Sequence, residues 1–262
     1  MSELQVKTMA ELAQEGKIPE YLYWVGCMGS YDDRAKKITK AFVKLLQKAG
    51  VDFAVLGPEE SCSGDPAKRA GNEFLFQMQA MSNIEVMNAY GVKKVITTCP
   101  HCFNTFKNEY PGLGGKYEVY HHSEILKKLV EEGKLQPADN PFENQTVTFH
   151  DPCYLGRGNG MYDEPRNVLK GARIQIKEMP NHKENAVCCG AGGAQMFKEA
   201  ENQREEIFVF RTREALELNP DIIATACAFC NTMITDGVKH YNKEKEVQVL
   251  DIAEILLRSI EK

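Results

Sequence analysis

Apolar residues along this chain fall into two alternating rhythms. Short continuous apolar runs at residues 21–25, 53–56, 95–98 and 117–120 read as buried strands, and longer stretches with apolar residues three and four apart lie between and after them as helices. Residues 33–49 carry the helical rhythm clearly, with Ile38, Phe42, Leu45 and Leu46 on one face and Gly50 as the stop. Asp65-Pro66 opens a periodic stretch running to Tyr90, which reads as one N-capped helix with proline in its first turn. Past a turn-rich segment at 132–141 the order repeats, with strands expected at 147–149, 174–177, 222–225 and 247–250. Strands alternating with helices imply a mostly parallel sheet with helices on its faces. The expectation is therefore an α/β protein of two tandem halves, 1–139 and 140–262, related by pseudo-twofold symmetry.

The cysteines mark the repeat. Cys27, Cys62, Cys99 and Cys102 form one series, and Cys153, Cys188, Cys189, Cys227 and Cys230 the other. The offset is 126 from Cys27 to Cys153, 127 from Cys62 to Cys189, and 128 from Cys99 to Cys227 and from Cys102 to Cys230. A drifting offset is what a duplication with small insertions leaves. Neighbouring strings repeat too: Glu124-Ile125-Leu126 is matched by Glu254-Ile255-Leu256. In this register Ser61 stands where the second half has Cys188, so the first half holds four cysteines and the second five.

Bulk composition narrows the function classes. A formal net charge of −5 over 262 residues carries no basic footprint for nucleic acid. No apolar run is long enough to span a bilayer, which argues against direct membrane insertion. The first residues are polar and of mixed charge, unlike a secretory signal. A cytoplasmic location is the expectation, compatible with a membrane-bound partner. In a reducing compartment nine cysteines point to metal or redox chemistry rather than to structural disulfides.

Nearly every cysteine follows a predicted strand, and in open parallel sheets ligands bind beyond the carboxyl ends of the strands. Pro100 and Ala228 stand between cysteines at expected helix starts, where free backbone N–H groups favour thiolate. Zinc takes four ligands as a rule, so the five thiols Cys153, Cys188, Cys189, Cys227 and Cys230 suit a multinuclear iron–sulfur site better. Cys27, Cys62, Cys99 and Cys102 could hold zinc, an ordinary cluster, or a ligand-poor version of the other site. A zinc-stabilised scaffold without redox turnover is the rival reading. A thiol-only oxidoreductase using Cys227 and Cys230 leaves the other cysteines unexplained.

The strings His150-Asp151-Pro152-Cys153-Tyr154-Leu155-Gly156-Arg157, Cys188-Cys189-Gly190-Ala191-Gly192-Gly193 and Cys227-Ala228-Phe229-Cys230 resemble the cysteine-rich CCG domain family. Its relatives include the B subunit of heterodisulfide reductase and iron–sulfur subunits of glycolate and lactate oxidation. The resemblance runs from about Tyr21 to the C-terminus and is more specific in the second half. It implies a tandem pair of domains and a noncubane 4Fe–4S cluster on the five-cysteine motif, used for electron transfer or reductive thiol–disulfide chemistry. The first half, with four thiols, is expected to hold a second cluster or zinc. No bacterial ferredoxin motif is present, so a separate ferredoxin-type iron–sulfur or flavoprotein subunit is the expected electron partner.

Other residues carry weaker signals. Gly190, Gly192 and Gly193 lack the spacing of a phosphate loop and read as a close backbone approach to the bound group. His150 and Asp151 are either donors beside the site or a solvated strand exit. His101 is expected as a plain loop residue, His121 and His122 as capping or surface groups, and Arg157 and Arg166 as salt-bridge partners.

Overall fold

Each half of the chain builds a parallel sheet whose strands are short, apolar and covered by helices. The computed structural model describes residues 4–138, 140–198 and 205–261. The first half runs α1 (Met9–Gln14), β1 (Tyr21–Trp24), α2 (Gly26–Tyr31), α3 (Ala35–Lys48), β2 (Phe53–Ala54), α4 (Asp65–Arg69), α5 (Glu73–Ala89), β3 (Lys94–Thr97), α6 (Pro100–Asn104), β4 (Glu118–His121) and α7 (His122–Glu131). The second runs β5 (Val147–Phe149), α8 (Gly156–Asn159), α9 (Asp163–Gly171), α10 (Ile207–Leu216), β6 (Ile222–Thr225), α11 (Ala228–His240), β7 (Gln248–Asp251) and α12 (Ile252–Ile260). The sheets have the orders β2-β1-β3-β4 and β5-β6-β7, all parallel. A single bridge from Val147 to Ile176 puts the 174–177 segment beside β5, as β2 lies beside β1. The two sheets are copies of one plan.

The first central strand shows why. Tyr21, Leu22, Tyr23 and Trp24 are all buried, as a parallel strand covered on both faces requires. Helix α3 lays Ile38, Phe42, Leu45 and Leu46 on the core, and each fully buried side chain of this size contributes roughly 1.5–3 kcal/mol. α3 packs on α12 of the other half, and its counterpart α9 packs on α7. One buried cluster thus joins Tyr23, Phe42 and Leu126 to Phe149, Leu169 and Leu256, so the halves share a core.

Two expectations need correction. The stretch from Asp65 to Tyr90 is two helices, because Gly71 takes φ +85° and Asn72 caps a new start by accepting from Leu75 N–H. The N-cap of α4 is Gly64, with Asp65 and Pro66 inside the first turn. The 174–177 segment makes only its one bridge and is no regular strand. Helices α1 and α2 went unforeseen, and α2 begins directly after β1 and carries Cys27 in its first turn.

The halves are also pinned by a buried polar chain. Asp251 caps α12, and its Oδ1 accepts from His122 Nε2 at 3.0 Å. That donation leaves His122 Nδ1 to accept from His121 Nε2 at 3.1 Å, and His121 Nδ1 to accept from Ser123 Oγ at 2.8 Å. His121 does cap its helix, as expected, but neither histidine is at the surface: both are fully buried. Burial, reinforced by the neighbouring His122, pushes the His121 pKa well below its usual value.

Candidate metal centre

The carboxyl ends of β5 and β6 set the geometry of the larger cysteine set. Cys153 lies in the turn after β5, Cys227 is the N-cap of α11 and Cys230 sits in that helix's first turn. Cys188 and Cys189 arrive on the loop before α10. Cys189 Sγ and Cys230 Sγ are 3.3 Å apart, and Gly190 N–H donates to Cys188 Sγ at 3.3 Å. Gly190 can do this because its φ is +88°, and a Cβ there would collide with Ile207 Cγ2. Cys189, Cys227 and Cys230 are buried, while Cys153 and Cys188 are half-exposed on a cleft of about 860 Å³ also lined by Met196, Ile207 and Met233.

Contact between thiols divides their acidities. The Cys188 pKa falls to about 2, first through hydrogen bonding with Cys153, then with Cys189, helped by Gly190 N–H. Cys153 rises in return through the same bond. Thiols this close share a proton, so one ionises at the expense of its neighbour. All nine cysteines are free. Five sulfur donors, one of them served by a backbone N–H, fit a thiolate-ligated iron–sulfur group in number and softness.

The first half repeats this arrangement, and the repeat corrects the register. Gly64 N–H donates to Cys62 Sγ at 3.4 Å with Gly64 at φ +91°, as Gly190 does to Cys188. Ser63 Oγ donates to Cys102 Sγ at 3.4 Å, where Cys189 meets Cys230 in the second half. Cys62 therefore matches Cys188, and the serine standing in for a cysteine is Ser63. Ser61 is not the replacement: its hydroxyl donates to Asn83 Oδ1 at 2.7 Å, off the site. Cys27 and Cys62 pair as Cys153 and Cys188 do. Cys62 falls to about 6, chiefly through its bond with Cys27, and Cys27 rises. Aligning the sequence on Gly64 and Gly190, whose backbones need φ above zero, would have found this register.

Other side chains stand differently from expectation. His150 is fully buried rather than solvated, and burial followed by the adjacent Arg211 pushes its pKa down to about 3. Its Nδ1 accepts from Arg211 Nε at 3.0 Å, and its ring lies beside Cys189 and Cys230. His101 is no plain loop residue. It is buried in α6, with Nδ1 3.3 Å from Asp65 Oδ2, and it stacks on Phe229 at 5.0 Å and 12° and against Tyr154. Arg166 bridges Asp151 and Glu178, and Arg157 bonds the Ala186 carbonyl, so both serve structure. Sequence reasoning missed Ser63, Trp24, Arg211 and Asp65, none of which has a motif of its own.

A family model for the cysteine-rich domain, CCG, matches residues 21–107 and again 147–235. The chain belongs to the CCG family. Both CCG matches begin at the first strand of a sheet in chain order, β1 and β5, and include every cysteine of their half. Among curated proteins this CCG chain is 50% identical to the EtfAB:quinone oxidoreductase of Syntrophomonas wolfei, over all of its own length and 37% of that protein's. It is 49% identical to the probable iron-sulfur-binding oxidoreductase FadF of Bacillus subtilis, over 98% of its length and 36% of the relative's. One of the dihydromethanophenazine:CoB–CoM heterodisulfide reductase subunits of Methanosarcina barkeri is 35% identical to it, over 92% of this chain and 59% of that protein. The chain thus spans little more than a third of the first two relatives.

Proposed function

We propose that this chain is the electron-transfer part of an iron–sulfur oxidoreductase. In this reading Cys153, Cys188, Cys189, Cys227 and Cys230 hold a 4Fe–4S cluster of noncubane type. Cys27, Cys62, Cys99 and Cys102, with Ser63 in the fifth place, hold a simpler cluster or zinc. The observation that carries the reading is the convergence of five free sulfurs, two of them 3.3 Å apart, at the carboxyl ends of one parallel sheet. The bound cluster would supply one-electron chemistry, in electron relay or in disulfide reduction. The chain's own residues bury three of the sulfurs, present Cys153 and Cys188 to the cleft, and aim Gly190 N–H at sulfur.

The first two relatives are named as oxidoreductases, in keeping with an electron partner for this chain, which we take to be a flavoprotein or a ferredoxin-type module on the same polypeptide or on another. Ile207, which lines the cleft, and Phe197, between its lining residues Met196 and Lys198 in sequence, stand exposed, in keeping with a docking surface there. Among the described residues no helix is long and apolar enough to cross a membrane. We place the chain in the cytoplasm, where a membrane-bound partner could reach it.

Iron and acid-labile sulfide analysis of anaerobically purified protein, beside a Cys189→Ser variant, tests the reading. The expected result is iron and sulfide in the parent and a marked loss of both in the variant. Stoichiometric zinc with no iron would replace it by the scaffold reading.

A further inference from the structure

Each half carries a fully buried ring N–H group three residues before its first cysteine: Trp24 before Cys27 and His150 before Cys153. Neither Trp24 Nε1 nor His150 Nε2 has a hydrogen-bond partner among the described residues. Buried donors are rarely left so, and two of them at the same place in a repeat ask for one explanation. A ring nitrogen of His150 lies in a group whose ligand atoms, with Cys189 Sγ and Cys230 Sγ, are all within 4.8 Å of one another. In the first half, Cys102 Sγ and Trp24 Cδ1, the atom bonded to the indole nitrogen, approach the same point. A Cβ on Gly26 would lie 3.7 Å from the sulfur and 4.0 Å from that carbon. Cys102 and Cys230 are themselves matching positions of the repeat.

The His150 tautomer follows from its neighbour. Arg211 Nε donates to His150 Nδ1 at 3.0 Å, and a guanidinium has no lone pair to accept in return. The ring proton therefore sits on the unpartnered Nε2 of a ring that lies beside Cys189 and Cys230. Arg211 is fully buried and is held by the Asn181 carbonyl at 2.8 Å and by Glu214 at 2.6 Å. A nitrogen that carries a proton donates; it does not bind iron.

We infer that His150 and Trp24 are matched N–H donors to the sulfur of the groups bound in the two halves, and that Arg211 is the positioning residue that fixes His150 as a donor. This inference rests on the functional reading above. A donor aimed at sulfur compensates the extra negative charge of the reduced state, so it raises the reduction potential.

The test uses anaerobically purified full-length protein with its cluster. With ¹⁵N-histidine, pulsed electron–nuclear double resonance on the paramagnetic cluster should show a weak nitrogen coupling and a proton that exchanges in D₂O. Both should vanish in His150→Leu. The midpoint of that variant should fall so that reduction at a fixed potential becomes about tenfold less favourable, about 59 mV for one electron. Arg211→Met should move the midpoint the same way and Arg211→Lys should restore part of it. The labelled parent protein keeps the test decisive if a variant does not fold. Trp24 is the chain's single tryptophan, so a ¹⁵N-tryptophan label reports on it alone. Its indole proton should exchange more slowly when the first site holds metal. Strong nitrogen coupling would make His150 a ligand and overturn the inference, as would iron with no histidine coupling and an unchanged midpoint. Indole exchange indifferent to metal would overturn the Trp24 half. Protein without iron, or iron unaffected by Cys189→Ser, would instead defeat the functional reading and this inference with it.

Discussion

Replacing Ser63 by cysteine should complete the first site. Ser63 Oγ lies 3.4 Å from Cys102 Sγ, against 3.3 Å between Cys189 and Cys230, so a sulfur at this position falls where the second half already has one. The following glycines share their backbone conformation, φ +91° and +88°, so no chain movement is required. Ser63 is buried, and the larger sulfur should cost about 1 kcal/mol of overpacking. Against that, a thiolate replaces a hydroxyl that is a poor iron ligand. Iron retained by the first half against a chelator should then tighten at least tenfold, roughly 1.4 kcal/mol. The assay uses a Cys189→Ser background to weaken the second half and follows iron per chain and the cluster spectrum during chelator challenge. Ser61→Cys is the control. That side chain bonds Asn83, which also donates to the Cys62 carbonyl and to Tyr110, and the change should leave retention as it was. A gain from Ser61→Cys with none from Ser63→Cys would refute the register.

Three further predictions follow from the frame around the sites. Asp251→Ala removes a helix cap, about 1 kcal/mol, and strands the buried His122 Nε2–H, about 1–3 kcal/mol, so the urea midpoint should drop by an equivalent of roughly 2–4 kcal/mol. An unchanged midpoint would show that the chain between the halves carries no load. His121 has a folded pKa depressed below its unfolded one, so the unfolded state binds the extra proton. Its contribution is full above the unfolded pKa near 6.5 and is lost as pH falls below it, by up to about 1.4 kcal/mol per pH unit. His121→Asn, which keeps a capping side chain, should flatten that acid slope in pH-dependent denaturation, and an identical slope would contradict it. Gly190→Ala puts a methyl against Ile207 and should lower iron retention sharply. Gly193→Ala shares the strain of a positive φ (+67°) but meets nothing within 4 Å among the described residues, so it should cost far less iron, and equal effects would separate the Gly190 backbone from the site.

Much of this was legible in the sequence because the repeat reports long-range structure through local spacing. Short apolar runs such as Tyr21–Trp24 and Ile222–Thr225 betray buried strands, and cysteines just after them share an edge. Where the reading slipped, the cause was local. Counting cysteine against cysteine matched Cys62 to Cys189, whereas the backbone repeats glycine on glycine, since φ near +90° is harder to replace than a thiol. Asn72 looked like one polar residue in a long helix, yet beside a left-handed Gly71 it starts a new one. Burial of His121, His122 and His150 could not be seen, because a histidine is held inside by partners distant in sequence: Asp251 is 129 residues from His122 and Arg211 is 61 from His150.

The corrected register also explains where the two halves stop being alike. Gly64 matching Gly190 makes Asp65 the mate of Ala191, and the cysteine pairs make His101 the mate of Phe229. His101 and Phe229 stack on each other, and in a twofold arrangement only residues at the axis touch their own mates. The axis thus runs through this stack, and each ring belongs to the C-x-x-C of one half. Two histidines here, each facing its own buried carboxylate, would press like charges together in a buried place. Two phenylalanines would leave Asp65 without the imidazole that meets it at 3.3 Å. One imidazole on one benzene ring avoids both costs, because the face of Phe229 is attractive to a partly positive ring. Histidine goes with aspartate on one side and phenylalanine with alanine on the other. One imidazole on one benzene ring thus lets the two cysteine sets meet on a single aromatic layer.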